Sequence, residues 1–284
     1  VQRAITGLDH VIVGVRDLEA ARRQWARLGF NSTPRGRHVG WATANYCIML
    51  DRDYVELLGI VDPSGFTNGL DQHLDAVGEG LLGIALGTTD AATTAAAWRA
   101  AGLASATAGS LMRLLESENP PVELRFANVM LDPTERAGLN LFACTHLTPA
   151  PMRRPAWLRH PNGALGIAAV TVLADAVEPL AAFATRVLGS AAVTRTDRVV
   201  AMQTGTCPII LATPDDAALL HPGFALADRA PEPRLAVLEI AVAEPAATAR
   251  FLDRQGVAHG RDADGAVLVE ASEASGVHLA FIGP

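Results

Sequence analysis

The chain has 284 residues, half of them apolar and only 19% charged, which excludes a largely disordered protein and leaves room for about two domains with real cores. A formal charge of −7 disfavours a nonspecific polyanion binder, so no nucleic-acid partner is expected. No apolar run is long enough for a membrane span and no signal pattern opens the chain, while Cys47, Cys144 and Cys207 suit neither a disulfide framework nor a thiol zinc cluster; the expectation is a cytoplasmic, reduced protein with no membrane partner.

Residues 8–30 begin as a strand in which Val11, Val13 and Val15 point one way and His10, Ile12 and Gly14 the other. Asp17 can cap the helix that follows, whose stripe is Leu18, Ala21, Trp25 and Leu28 and whose stop is Gly29. Residues 31–45 are rich in turn formers and carry Arg37, His38, Trp41 and Asn45. A strand follows with Asn45 and Cys47 on one face and Tyr46 and Ile48 on the other; the next, over 54–60, carries Glu56 on the face of Tyr54 and Leu58. In a central strand an unpaired carboxylate costs several kcal/mol, so Glu56 needs a proton, a cation or hydrogen-bond donors.

The opening unit recurs at 81–103, 165–190 and 235–257: an apolar strand, an acid (Asp17, Asp90, Asp175, Glu244), an alanine-rich helix and a glycine (Gly29, Gly102, Gly189, Gly256). Spacings of roughly 70–85 residues fit a duplicated small domain better than a solenoid. The second unit ends with strands over 122–131 and 139–146, and Asn140 stands near the place that Glu56 holds in the first. Four prolines over 145–164 mark a connection that carries His160 and Asn162, and residues 214–233 form a proline-rich crossing. The expected division is 1–146, a strap over 147–164, and 165–284.

The stretch LDHVIVGVRDLEAARRQWARLGF with GRHVGWATAN, YVELLGI and the connector RRPAWLRHPNGA resembles the glyoxalase-like branch of the vicinal oxygen chelate superfamily. The resemblance implies an α+β fold of four tandem βαβββ units pairing into curved mixed sheets. It implies metal ligands on first and last strands, which here match His10 and Glu56. The corresponding first-strand positions Gly83, Ala168 and Val237 offer no side-chain ligand, and Ala168 and Ala280 argue against an extradiol-type iron site in the C-terminal half.

Two readings of His10 and Glu56 stay open. They hold one divalent metal ion of unknown identity and support lyase or isomerase chemistry, or they act without metal, as an acid–base pair or in a binding or sequestering protein. Arg37, His38, Trp41, Asn45 and Asn140 are the expected contacts to a small organic molecule bearing carbonyl or vicinal oxygen atoms. No phosphate-cradling glycine motif is present, so no nucleotide cofactor is implied. The C-terminal half is left to support the fold, shape a pocket or make a homodimer surface.

Overall fold

The alternation read in the first strand is realised: Val11, Val13 and Val15 are fully buried under helices, while Ile12 belongs to a second apolar cluster on the opposite face. The computed structural model describes residues 4–116, 119–226 and 233–283. Strand β1 (Ile5–Val15) leads into α1 (Leu18–Arg27), where Asp17 Oδ1 accepts the Ala20 amide at 2.9 Å and closes the first turn. Leu18, Ala21, Trp25 and Leu28 are all buried, and Gly29 takes the left-handed conformation at φ 87°. Strands β2 (Gly36–His38), β3 (Thr43–Met49) and β4 (Tyr54–Ile60) follow, then α2 (Leu70–Ala76).

The same order returns as β5 (Gly80–Thr88), α3 (Ala91–Ala100), β6 (Thr107–Leu115), β7 (Val122–Met130) and β8 (Leu141–His146). It returns again as β9 (Ala164–Leu173), α4 (Glu178–Leu188), β10 (Val193–Arg195), β11 (Val199–Gln203) and β12 (Pro208–Ala212). After α5 (Pro214–Leu220) come β13 (Arg234–Val242), α6 (Pro245–Gln255), β14 (Gly260–Arg261), β15 (Val267–Val269) and β16 (His278–Ile282). The proline-rich crossing therefore contains a helix at its start, and its residues 227–232 lie outside the described residues.

The first eight strands close into a barrel in the order β1-β4-β3-β2-β6-β7-β8-β5, with β1 parallel to β4 and antiparallel to β5. The other eight form an open sheet, β10-β11-β12-β9-β13-β16-β15-β14. Both are mixed, because each first strand pairs in parallel with the last strand of its own unit, as β9 does with β12 and β13 with β16. The fold is thus α+β, as expected. One apolar cluster runs through both sheets and includes Trp25, Trp98, Phe183 and Phe281 from the two halves.

Helices follow Asp175 and Glu244 as expected, but neither acid caps as Asp17 does: α4 starts at Glu178 with Val177 as its N-cap, and Glu244 sits at the N-cap of α6 without a side-chain bond. Proline in the first turn of each helix presets φ and removes one unpaired donor there, so an acidic cap is dispensable. Strand β6 is absent from the sequence reading altogether. The proline-rich connection is fastened at its end: His160 Nε2 lies 2.8 Å from Met49 O, its Nδ1 accepts the Asn31 amide at 3.0 Å, and Asn162 Nδ2 donates to Leu28 O at 2.9 Å.

Candidate functional site

Alternation alone would send Asp9 and His10 to opposite faces of β1. The β1–β5 ladder instead slips between Leu8 and His10, leaving Asp9 as an extra residue in a bulge. Asp9 Oδ2 then accepts from His10 Nδ1 at 2.7 Å and from His146 Nε2, at the end of β8, at 3.0 Å. Burial opposes ionisation of Asp9, but the hydrogen bonds and charge of the two imidazoles outweigh it and hold the carboxyl below its ordinary range. The His10 ring is further fixed by stacking on Tyr54 at 4.4 Å and by the edge of Phe142 at 5.7 Å.

With Nδ1–H given to Asp9, the remaining nitrogen of His10 faces Glu56: Nε2 and Oε2 are 3.4 Å apart. Glu56 arrives from β4, one step along from Tyr54, and both it and His10 are buried. Asn45 Nδ2 donates to Glu56 Oε1 at 2.5 Å, and His38 Nε2 stands 3.8 Å from the same oxygen. His38 Nδ1 shares a 2.9 Å hydrogen bond with Thr43 Oγ1, so this second imidazole also turns its Nε2 toward Glu56. Burial pushes Glu56 toward the neutral acid, yet His10, His38, Arg113 and Asn45 prevail and keep its pKa lowered. Burial drives His38 down to about 4, against the pull of Glu56 and with a further push from Arg113, so His38 is neutral near pH 7.

His10, His38, Tyr54 and Glu56 line the wall of a cavity of about 1380 Å³ that also receives Trp41, Phe126 and Arg113. That exceeds the roughly 300–1,000 Å³ of common ligand sites, so a medium-sized organic molecule fits with water to spare. Among the expected contacts, His38 and Trp41 line the cavity, and Asn140 does so from the start of β8, with its Oδ1 held by Arg136 Nη1 at 2.6 Å. Asn45 stands behind Glu56 and orients it. Arg37 is turned outward and exposed, paired with Glu116 at 3.3 Å, because it alternates with His38 on β2 and only one of the two can face inward.

The register also reassigns one position. Val11 pairs with Val55 and Ile12 with Glu56, whereas Ile84 pairs with Leu141 and Ala85 with Phe142. The counterpart of Glu56 in the second unit is therefore Phe142, not Asn140; the slip of two residues keeps the same face. In the second sheet Val237 pairs with His278 and Glu239 with Ala280, which leaves Val237 and Ala280 in the places of His10 and Glu56. Asp9, Tyr54, Phe142 and Arg113 are site residues that the sequence reading did not single out.

A divalent ion can be tested against the donors. Ligand bonds of about 2.1 Å at a tetrahedral angle set two donor atoms about 3.4 Å apart, and His10 Nε2 and Glu56 Oε2 are separated by 3.4 Å. The Asp9 carboxylate behind His10 is the outer partner that a ligating imidazole commonly has. The pair fits one edge of a cation's shell. Among the described residues, the group of three donors within 4.8 Å of one another is a different one, Asp9, Cys144 and His146. Burial pushes the Cys144 thiol well above its ordinary pKa, and the Asp9 carboxylate is already engaged by the imidazoles of His10 and His146, so this trio is not preset for a cation.

A family model described as a glyoxalase-like domain matches residues 8–188. No curated protein matches the chain. Among solved structures, a hypothetical protein from Staphylococcus aureus superposes with a TM-score of 0.69 at 11% identity, over 98% of each chain. A variant of 4-hydroxymandelate synthase from Streptomyces coelicolor gives 0.60 at 12% identity over 98% of this chain and 92% of that one. The Mn(II)-bound glyoxalase from Novosphingobium aromaticivorans gives 0.58 at 13% identity over 99% and 83%. At such identities these likenesses speak for the fold. No helix among the described residues is long and apolar enough to cross a membrane.

Proposed function

From a chain that belongs to the glyoxalase-like family of the vicinal oxygen chelate superfamily, we propose an enzyme that moves a proton next to a carbonyl group of a small or medium organic molecule, in lyase or isomerase chemistry centred on His10 and Glu56. The observation that carries this reading is the 3.4 Å approach of His10 Nε2 to Glu56 Oε2 while His10 Nδ1–H is committed to Asp9. A neutral imidazole would then point a lone pair at a carboxylate. Something positive belongs between them, either a proton or a metal ion.

His10 and Glu56 would hold a divalent ion, with the cavity side left to water or to substrate oxygens. Such an ion, when bound, polarises a carbonyl oxygen and stabilises negative charge that develops on it. The chain's own groups do the rest. Asn45 fixes Glu56 Oε1, so the carboxylate presents a set orientation to a proton on the carbon beside that carbonyl. His38, neutral and anchored by Thr43, offers Nε2 to a substrate hydroxyl or to the departing proton. Trp41, packed on His38 at 5.8 Å, adds aromatic surface to the cavity lining.

The same contacts favour one alternative, a metal-free binding or sequestering protein, because a proton on His10 Nε2 would satisfy Glu56 equally well. Elemental analysis and calorimetric titration with Mn2+ and Zn2+ separate the two. Wild-type protein binds one equivalent in the metal reading and Glu56→Gln binds none; a wild type that neither carries nor takes up a cation sinks it.

A further inference from the structure

Arg113 as a whole is only 2% exposed, yet no carboxylate among the described residues comes within ion-pair distance of its guanidinium. Its recorded acceptors are two sulfur atoms, Cys47 Sγ at 3.0 Å from Nη1 and Met152 Sδ at 3.2 Å from Nη2. Sulfur is a weak acceptor, and Nε is buried with no partner at all. Phe126 lies beneath it, ring centre 5.3 Å from Cζ. Glu56 compensates the charge through space without a hydrogen bond. A folded chain seldom buries a five-donor cation in this way unless something outside the chain completes it.

The position is built for access to the cavity. Arg113 on β6 is the cross-strand neighbour of His38 on β2 and lines the same cavity wall as His10 and Glu56. Room for its stem comes from Gly36, where a Cβ would lie 2.6 Å from Arg113 Cδ and 2.5 Å from Asn45 Oδ1. Leu111, Phe126 and Phe142 continue the wall as apolar surface.

We propose that Arg113 is the anion-binding residue of this cavity and that the ligand is an organic acid, its carboxylate paired with the guanidinium and its carbon chain along Phe126 and Phe142. The inference rests on the reading of the barrel cavity as the ligand site and adds the charge of what enters it. A carboxylate on Arg113 would place the neighbouring carbonyl near His38 and Glu56, so an acid with an oxygen on the adjacent carbon is the class best matched.

The test uses α-ketocaproate and its uncharged methyl ester as probes, titrated calorimetrically into wild-type protein, Arg113→Met and Arg113→Lys. Wild type is expected to bind the acid at least about tenfold more tightly than the ester, the size of effect a charge-assisted pair supplies. Arg113→Met erases that preference without weakening the ester, and Arg113→Lys restores part of it. The acid and the ester binding wild type equally, the acid not binding, or Arg113→Met keeping the preference would each overturn the proposal. The wild-type comparison decides even if Arg113→Met does not fold. Glu56→Gln keeps the preference for the acid whether or not the cation reading survives, so failure of one is distinguishable from failure of the other.

Discussion

Asp9 and His10 are chain neighbours on one strand, yet both face the barrel interior, and Asp9 Oδ2 accepts His10 Nδ1–H at 2.7 Å. The bulge that permits this fixes the tautomer of His10 and so decides what its other nitrogen can do. Asp9→Asn keeps the shape but cannot hold two imidazoles as an anion does. Loss of charge-assisted bonds to His10 and His146 should destabilise by roughly 2–3 kcal/mol in urea denaturation. Cation affinity should fall about 10–100-fold, as when the outer partner of a ligand is removed. Unchanged affinity would show that His10 is not a ligand.

A second expectation concerns acid. His38 titrates at about 4 when folded against an ordinary 6.5, since burial penalises its charge. The unfolded chain therefore binds more protons between those values, and stability falls as pH drops from 6.5 toward 4. The depressed carboxyls of Asp9 and Glu56 act in the same sense, contributing stability above the ordinary carboxylate range and losing it as pH falls further. His38→Gln should flatten the upper part of this acid loss by up to about 3 kcal/mol, read from urea midpoints across the window. An identical slope in the variant would refute the assignment.

Asp53 has the opposite sign. It accepts the Ile167 amide at 3.1 Å across the two halves, but burial dominates and raises its pKa from 3.8 to about 7. Its folded form holds a proton that the unfolded chain releases, so its contribution is complete below 3.8 and is lost as pH rises through 7. Asp53→Asn keeps an acceptor for Ile167 without a charge to desolvate. It should be more stable than wild type at pH 8 by roughly 2–4 kcal/mol, with the gain vanishing near pH 4. A variant less stable at both pH values would mean that the carboxylate, not the acid, is the native form.

What the sequence reveals of the site follows from which signals are periodic. Glu56 and His10 stand out because strict alternation in β1 and β4 puts a polar group on an interior face. Asp9 escapes because a bulge breaks that alternation and leaves no mark in LDHV. Arg113 escapes because TAGSLMRLL opens with exposed small and polar residues and so does not read as a strand; its edge is paired only once the barrel closes on β2. Asn140 is chosen over Phe142 because both lie on one face, and only the ladder with β5 fixes the count. The helix stripe of α1 is legible to the residue, since its periodicity needs no partner to be seen.

Gly36 offers a test of packing at the centre of the site. A methyl group there would meet Asn45 Oδ1 at 2.5 Å and Arg113 Cδ at 2.6 Å, both inside van der Waals contact. Gly36→Ala should displace the two side chains, cost roughly 1–3 kcal/mol through overpacking, and weaken binding of cation and acid together. Destabilisation with both affinities intact would show that Asn45 and Arg113 do not set the geometry of the cavity.

Phe142 allows the site to be completed rather than dismantled. It occupies in the second unit the ladder position of Glu56 in the first, it lines the same cavity, and its ring meets the edge of His10 at 5.7 Å. A carboxylate placed there would face the His10–Glu56 edge from across the barrel and add a third protein donor, the number a tightly held catalytic ion usually has. Phe142→Glu should therefore raise cation affinity at least about tenfold over wild type. The apo form should be less stable by roughly 3–5 kcal/mol, because an aromatic side chain is lost from a buried wall and a third carboxylate joins Asp9 and Glu56. Adding saturating cation should recover much of that loss, since an ion bound by the folded form alone stabilises by mass action. Phe142→Gln, with the same shape and no charge, serves as the control and should show the destabilisation without the gain. Thermal melts with and without Mn2+ read all three quantities, and an affinity for Phe142→Glu no higher than that of wild type would rule out a cation site between His10 and Glu56.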